Sequence, residues 1–124
     1  MARPQTDGLT DYELEIMQVI WRQPGLKVAE ILEALSKDPK PAYTSLLTIV
    51  KNMEKKGYVE HEEEGRSHRF FAKLKQNEYK TSELKKFVDR FFGGSPMALA
   101  MNIVKDEDLD SQQIAEIKDA LEEL

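Results

Sequence analysis

Between Tyr43 and Phe71 the chain passes from helical to hairpin periodicity across a single glycine, a junction that few small folds accommodate. Leu46, Ile49, Val50 and Met53 recur at i, i+3, i+4 and i+7, which predicts a helix over 43–56 with one buried stripe. Lys55 and Lys56 place positive charge at its C-terminal end, and Gly57 closes it. Two short runs follow, Tyr58 to Glu62 and Ser67 to Phe71, on either side of Glu64-Gly65. They predict a hairpin in which Gly65 takes the positive φ of a tight turn. A two-residue turn at Glu64-Gly65 sets His61 opposite His68.

Upstream, Thr10-Asp11-Tyr12-Glu13 reads as a capping box that opens a helix carrying Leu14, Met17, Val19, Ile20 and Trp21, stopped by Pro24-Gly25. A short helix over 28–35 has Val28, Ile31, Leu32 and Leu35 spaced for one buried face. Three helices and a hairpin within about 65 residues predict an α+β, mainly helical fold: a winged helix-turn-helix over residues 8–75, with the first helix and the sheet burying one another. Residues 76–124 read as a helical dimerisation segment. A fourth helix over 76–92 carries Leu84, Phe87, Val88 and Phe91 on one side, and Ser95-Pro96 caps and starts a fifth that runs to about Val104. Asp110 to Gln113 opens a last helix with Ile114, Ile117, Leu121 and Leu124 on one side. The sequence has no internal repeat and no low-complexity linker.

The net charge of −5 argues by itself against a nucleic-acid partner, but the charge is unevenly divided. Residues 1–75 carry 12 Lys or Arg against 12 Asp or Glu, whereas residues 76–124 carry 6 against 11. Residues 40–75 have 8 basic and 5 acidic side chains, a local charge of +3. Acid held away from a contact face does not prevent phosphate attraction at that face. The absence of cysteine excludes disulfides, thiolate zinc sites and cysteine nucleophiles. The start MARPQTDG lacks the flank and apolar stretch of a secretory signal, and no apolar run is long enough to span a bilayer, so a cytoplasmic protein without membrane insertion is expected.

With the apolar stripe of the third helix turned inward, its opposite side presents Thr44, Ser45, Thr48, Lys51, Asn52 and Lys55. Hydroxyls near a helix start suit phosphates or base edges, Asn suits adenine, and Lys suits phosphate or guanine. Arg66 at the hairpin tip, with Arg69 behind it, is the second candidate for DNA contact, although Glu62, Glu63 and Glu64 precede it. A solvated polar helix face and a plain surface turn are the competing readings. In the C-terminal segment, Leu84, Phe87, Val88, Phe91, Phe92, Ile103, Ile114, Ile117 and Leu121, together with Met97, Leu99 and Met101, form a large apolar load for a short appendage. Such a surface can fold back on its own chain or meet another chain, and a homodimer interface is the cheaper way to keep it from water.

Leu14 to Trp21 (LEIMQVIW), Ala42 to Thr48, Glu54-Lys55-Lys56-Gly57, Glu64-Gly65-Arg66, Phe91 to Ser95 and Glu107-Asp108-Leu109 resemble, in order, the penicillinase-repressor family of bacterial winged-helix regulators. The resemblance runs from about residue 10 to 124. It implies a homodimer on palindromic operators in double-stranded DNA, often controlling β-lactam resistance or copper handling. It also implies that Thr44, Ser45, Thr48, Lys51 and Asn52 enter the major groove while Arg66 lies on the wing. Many relatives have arginine where this chain has Asn52. The cysteine pairs of the copper-responsive branch are missing, which disfavours copper sensing by that chemistry. Resistance-branch relatives are inactivated by a regulatory protease at an Asn-Phe bond, and the corresponding pair here is Asn102-Ile103.

Three other functions compete. No HExxH, phosphate loop or serine-elbow motif accompanies the 23 carboxylates, so no catalysis is expected. No cofactor or metal is expected either. His61 and His68, with Glu63 adding an oxygen, form the alternative constellation of a histidine-based metal sensor. The other alternative is a winged-helix protein-interaction module with no DNA role.

Overall fold

The computed structural model describes residues 8–36, 38–106 and 108–122. Helix α1 (Asp11–Arg22) begins where the capping box requires. Glu13 N donates to Thr10 Oγ1 at 3.1 Å, and Thr10 N donates to Glu13 Oε1 at 3.0 Å, satisfying two amides that have no partner inside the helix. Helix α2 (Val28–Ala34) ends one residue earlier than the apolar spacing suggests. Leu35 is its extended C-cap, whose N–H still reaches Ile31 and whose side chain remains in the core, so the burial pattern outlasts the helical backbone. Helix α3 (Tyr43–Lys55) is capped by Lys56. Gly57, at φ +86°, then turns the chain into the sheet.

Strands β1 (Val59–Glu64) and β2 (Ser67–Ala72) pair antiparallel. Glu64 pairs with Ser67, so the two-residue turn is Gly65-Arg66 and not Glu64-Gly65. Gly65 holds φ +61° at the first central position, where a type II′ hairpin turn needs glycine. The one-residue shift corrects the expected register. His61 lies opposite Phe70, His68 lies opposite Glu63, and the two histidines are diagonal neighbours on one face. Leu26 adds an isolated bridge to Phe70, with Gly25 N donating to Phe70 O and Phe70 N to Leu26 O, both at 2.9 Å. The segment after α1 is therefore more than the helix stop that Pro24-Gly25 suggests: it adds a short third edge to the hairpin.

The first compact unit extends through Tyr79. Ile16, Met17 and Ile20 of α1, Ile31 of α2, Leu46, Val50 and Met53 of α3, and Val59 and Phe70 of the hairpin are fully enclosed, with α1 packed on β2 as expected. This is a winged helix-turn-helix. Trp21 Nε1 donates to Leu74 O at 2.8 Å, and Leu9 N donates to Tyr79 Oη at 3.0 Å. Tyr79 is itself in the core, so the unit reaches past the expected limit at residue 75.

Helix α4 (Gln76–Phe92) has the expected span. The second compact unit, residues 80–124, includes α5 (Pro96–Asp106) and α6 (Ser111–Glu122), which pack together. Ala98 N donates to Ser95 Oγ at 3.1 Å, and Asp110 and Gln113 cap one another at 2.8 and 3.0 Å. Glu107, Leu124 and the side chain of Leu121 lie outside the described residues. No helix among the described residues is long and apolar enough to cross a membrane.

Candidate nucleic-acid interface

Helix α3 divides into two faces. Leu46, Val50 and Met53 are enclosed and Ile49 packs partly against them, whereas Thr44, Ser45, Thr48, Lys51, Asn52 and Lys55 are all exposed. The Thr48 hydroxyl donates to Thr44 O at 3.0 Å, which fixes its hydrogen and leaves its lone pairs directed outward as acceptors. At the start of α3 the N-cap is Ala42, which offers no side-chain acceptor to the first-turn amides. Those amides favour an anion such as a phosphate oxygen.

Beside this face lies an open groove of about 340 Å³ lined by Lys27, Tyr43, Leu47, Lys51, Arg66 and His68, among others. It brings the helix-face Lys51 and the wing-tip Arg66 to one concavity. Lys27, the N-cap of α2, and the exposed Tyr43, the first residue of α3, belong to the same surface and are not among the contact residues expected from the sequence. Among the described residues no ion pair engages Arg66, so its guanidinium is open to a ligand.

Arg69 has other partners. Its guanidinium pairs with Glu64, donates to Gly25 O at 2.8 Å and approaches Glu30 at 3.9 Å. The hydrogen bond and charge of Glu64 raise its pKa further, and those of Arg69 lower the pKa of Glu64. Arg69 thus braces the wing against the loop after α1. Its fork of donors is already engaged by acceptors of its own chain.

The back of α3 is held by a further pair. Lys56 Nζ donates to Glu13 Oε2 at 2.9 Å, tying the C-cap of α3 to the first turn of α1. Burial pushes the Glu13 pKa up, but the hydrogen bonds from Lys56 and Thr10 and the Lys56 charge outweigh it, and the net shift is downward.

In the second unit, Leu84, Phe87, Phe91, Ile103 and Ile114 are exposed, Phe91 by as much as 60%, and Phe92 and Ile117 are half-buried. Val88 is buried within its own chain and has little surface left to offer a partner. The Phe87 ring lies 5.0 Å from that of Phe91 and 5.9 Å from that of Phe92. An apolar groove of about 310 Å³ runs between α5 and α6, lined by Met97, Met101, Val104, Ile114 and Ile117. Asn102 and Ile103 are exposed and helical, in the middle of α5.

The family model described as penicillinase repressor matches residues 9–123, nearly the whole chain. The chain belongs to the penicillinase-repressor family. Among relatives of this family, the penicillinase repressor of Bacillus licheniformis is 30% identical over 119 residues, covering 93% of this chain and 90% of that protein. The penicillinase repressor of Staphylococcus aureus is 23% identical, covering 100% of this chain and 98% of that protein. Among solved structures, the DNA-binding domain of the repressor BlaI superposes with a TM-score of 0.53 at 27% identity, covering 62% of this chain and 94% of that one. Monomeric Bacillus licheniformis BlaI in complex with the blaP half-operator gives 0.50 at 28% identity, covering 64% of this chain and 94% of that one. Family membership identifies the chain as a DNA-binding transcriptional repressor of the winged-helix type and not an enzyme.

Proposed function

We propose that this chain acts in the cytoplasm as a homodimer that reads a palindromic operator, with α3 in the major groove and the Gly65-Arg66 turn on the backbone. The observation that carries the reading is the exposed polar face of α3 beside the unpaired Arg66, on a fold shared with a BlaI monomer solved on a half-operator. In this reading Thr44, Ser45 and the uncapped amides of α3 hold phosphate. Thr48, Lys51 and Asn52 face base edges, and Lys55 and Arg66 add backbone affinity. A monomer that binds one half-site gains specificity when a molecular dyad supplies the second, and the exposed Phe87, Phe91, Ile103 and Ile114 supply an apolar joint for that dyad.

Relief of repression by a regulatory protease fits the same surface. A helical bond is a poor protease substrate because the backbone must first open locally. Cleavage at Asn102-Ile103 therefore requires α5 to unwind, and the exposed position of both residues allows a protease to reach it.

Selection from a random duplex library with the full chain tests the proposal. Inverted repeats separated by about one helical turn, or a multiple of it, are expected. Enrichment of single half-sites only, together with a monomeric mass at micromolar concentration, overturns the dimeric reading.

A further inference from the structure

We infer that His61, Glu63 and His68 form a site on the wing for one divalent transition-metal ion of the zinc class. One donor atom from each of the three residues lies within 4.8 Å of the other two. Strand alternation puts His61 and Glu63 on one face of β1, and the observed register sets His68 and Phe70 against them. The two imidazole rings are stacked, with centroids 4.1 Å apart and planes within 8°, and His68 Nε2 lies 3.9 Å from Glu63 Oε1.

A second observation separates this cluster from an ordinary pair of surface histidines. His61 Nδ1 lies 2.5 Å from Glu54 Oε2 on α3. A carboxylate on one ring nitrogen holds the proton there, orients the ring and leaves the other nitrogen with its lone pair free. That is the arrangement in which ligating histidines are usually found. Glu54 and His61 meet because Gly57 and Tyr58 fold the chain back between them, three residues from each.

The donor set fixes the class of ion. Two imidazoles and one carboxylate suit zinc, nickel or copper, whereas magnesium and calcium prefer oxygen alone. Zinc bonds of about 2.0–2.2 Å in a tetrahedral site hold neighbouring donors roughly 3.4 Å apart, so the three donors must close by up to about 1.4 Å, and the His68 ring must turn out of its stack on His61 for both in-plane lone pairs to converge on one ion. They are free to do so, since the side chains of His68 and Glu63 are 42% and 74% exposed. The fourth position falls to water.

An ion here joins β1 to β2 and, through Glu54, stiffens the wing against α3. His68 also lines the groove that contains Lys51 and Arg66, so the ion adds positive charge where phosphate approaches. This consequence, tighter duplex binding, rests on the DNA reading proposed above, whereas the site itself does not.

Calorimetric titration of the full chain with Zn2+, Ni2+ and Mg2+ in the absence of DNA tests the site. One Zn2+ or Ni2+ per chain and no comparable Mg2+ binding are expected. His61→Ala and His68→Gln should each weaken binding at least tenfold, and Glu54→Gln should weaken it about 10- to 100-fold through the orienting carboxylate. The exposed His68→Gln change serves as the variant that leaves the core intact, with circular dichroism as the check. Zinc should also raise the unfolding midpoint of the wild type and not of the double-histidine variant. Unchanged binding in that double variant, or Mg2+ binding as tight as Zn2+, overturns the site. Duplex affinity is then compared in zinc and in chelator. Equal affinities from a zinc-loaded chain overturn only the consequence, and no duplex binding under either condition overturns the DNA reading.

Discussion

Glu13→Gln separates the two jobs of a single buried carboxylate. Glu13 is only 6% exposed, and its two oxygens accept from Thr10 N and Lys56 Nζ. Glutamine keeps the acceptor for Thr10 and therefore most of the cap. It also turns an NH2 toward the lysine, a donor facing a donor. Lys56 is 48% exposed and can swing into water, so the loss is far below that of breaking a fully buried pair. An amide left without an acceptor in an enclosed position costs about 1–2 kcal/mol, which corresponds to a fall in Tm of roughly 7–14 °C for a unit of this size. Trp21, the single tryptophan, hydrogen-bonds Leu74 inside the same unit and reports its unfolding by fluorescence in urea. The pH dependence identifies the cause. The Glu13 pKa is lowered in the folded state, so its contribution is complete above the unfolded carboxylate pKa of about 4.3 and is lost as pH falls through the lower folded value. The gap between wild type and Glu13→Gln should therefore be constant from pH 7 to about 5 and close below about 4. A gap that persists unchanged at pH 3, or no gap at pH 7, refutes the reasoning.

Three further outcomes follow from the same geometry. Asn52→Ala and Thr48→Ala should change sequence preference, by about 1–3 kcal/mol for a bidentate base contact, whereas Arg66→Ala should weaken all duplexes alike and reduce the salt slope by about one; binding to matched and scrambled duplexes checks this. Phe91→Glu places a charge on the most exposed aromatic ring of the second unit, and sedimentation equilibrium should show a shift to monomer with the fold retained. Phe70→Ala opens a cavity beneath the histidine pair and should cost about 3–5 kcal/mol in urea unfolding.

What could be read from the sequence was mostly local. Thr10 with Glu13 and Asp110 with Gln113 cap helices through contacts three residues apart, so type and spacing sufficed. The inward stripe and outward polar face of α3 follow from one periodicity. Register was not legible to one residue, because Gly65 can occupy either central position of a turn, and that choice decided whether His61 faces His68 or Phe70. The bonds from Leu9 to Tyr79 and from Trp21 to Leu74 join residues 70 and 53 positions apart, and no local pattern announces them. The pairing of Arg69 was hidden for a related reason: an exposed-looking arginine gives no sign in sequence that Gly25 and Glu64 already hold it.

The acidic run before the wing tip is less repulsive to DNA than its sequence suggests, because a strand divides it. Glu62 and Glu64 share one face of β1 with Arg69 opposite, and Glu63 turns to the other face beside His68. Arg69 thus cancels much of the field that Arg66 would otherwise meet on approaching a phosphate. If so, Arg69→Gln should lower affinity for every duplex a few-fold at low salt without altering preference, and the loss should shrink as the Debye length falls from about 10 Å at 0.1 M towards 3 Å at 1 M. Adding Glu64→Gln removes the uncovered acid and should restore most of the affinity. A phosphate contact by Arg69 itself behaves differently, since neutralising Glu64 cannot replace a missing donor. Fluorescence anisotropy on one operator and one scrambled duplex, with the single and double variants at two salt concentrations, distinguishes the two. Failure of the double variant to recover would return Arg69 to the DNA surface.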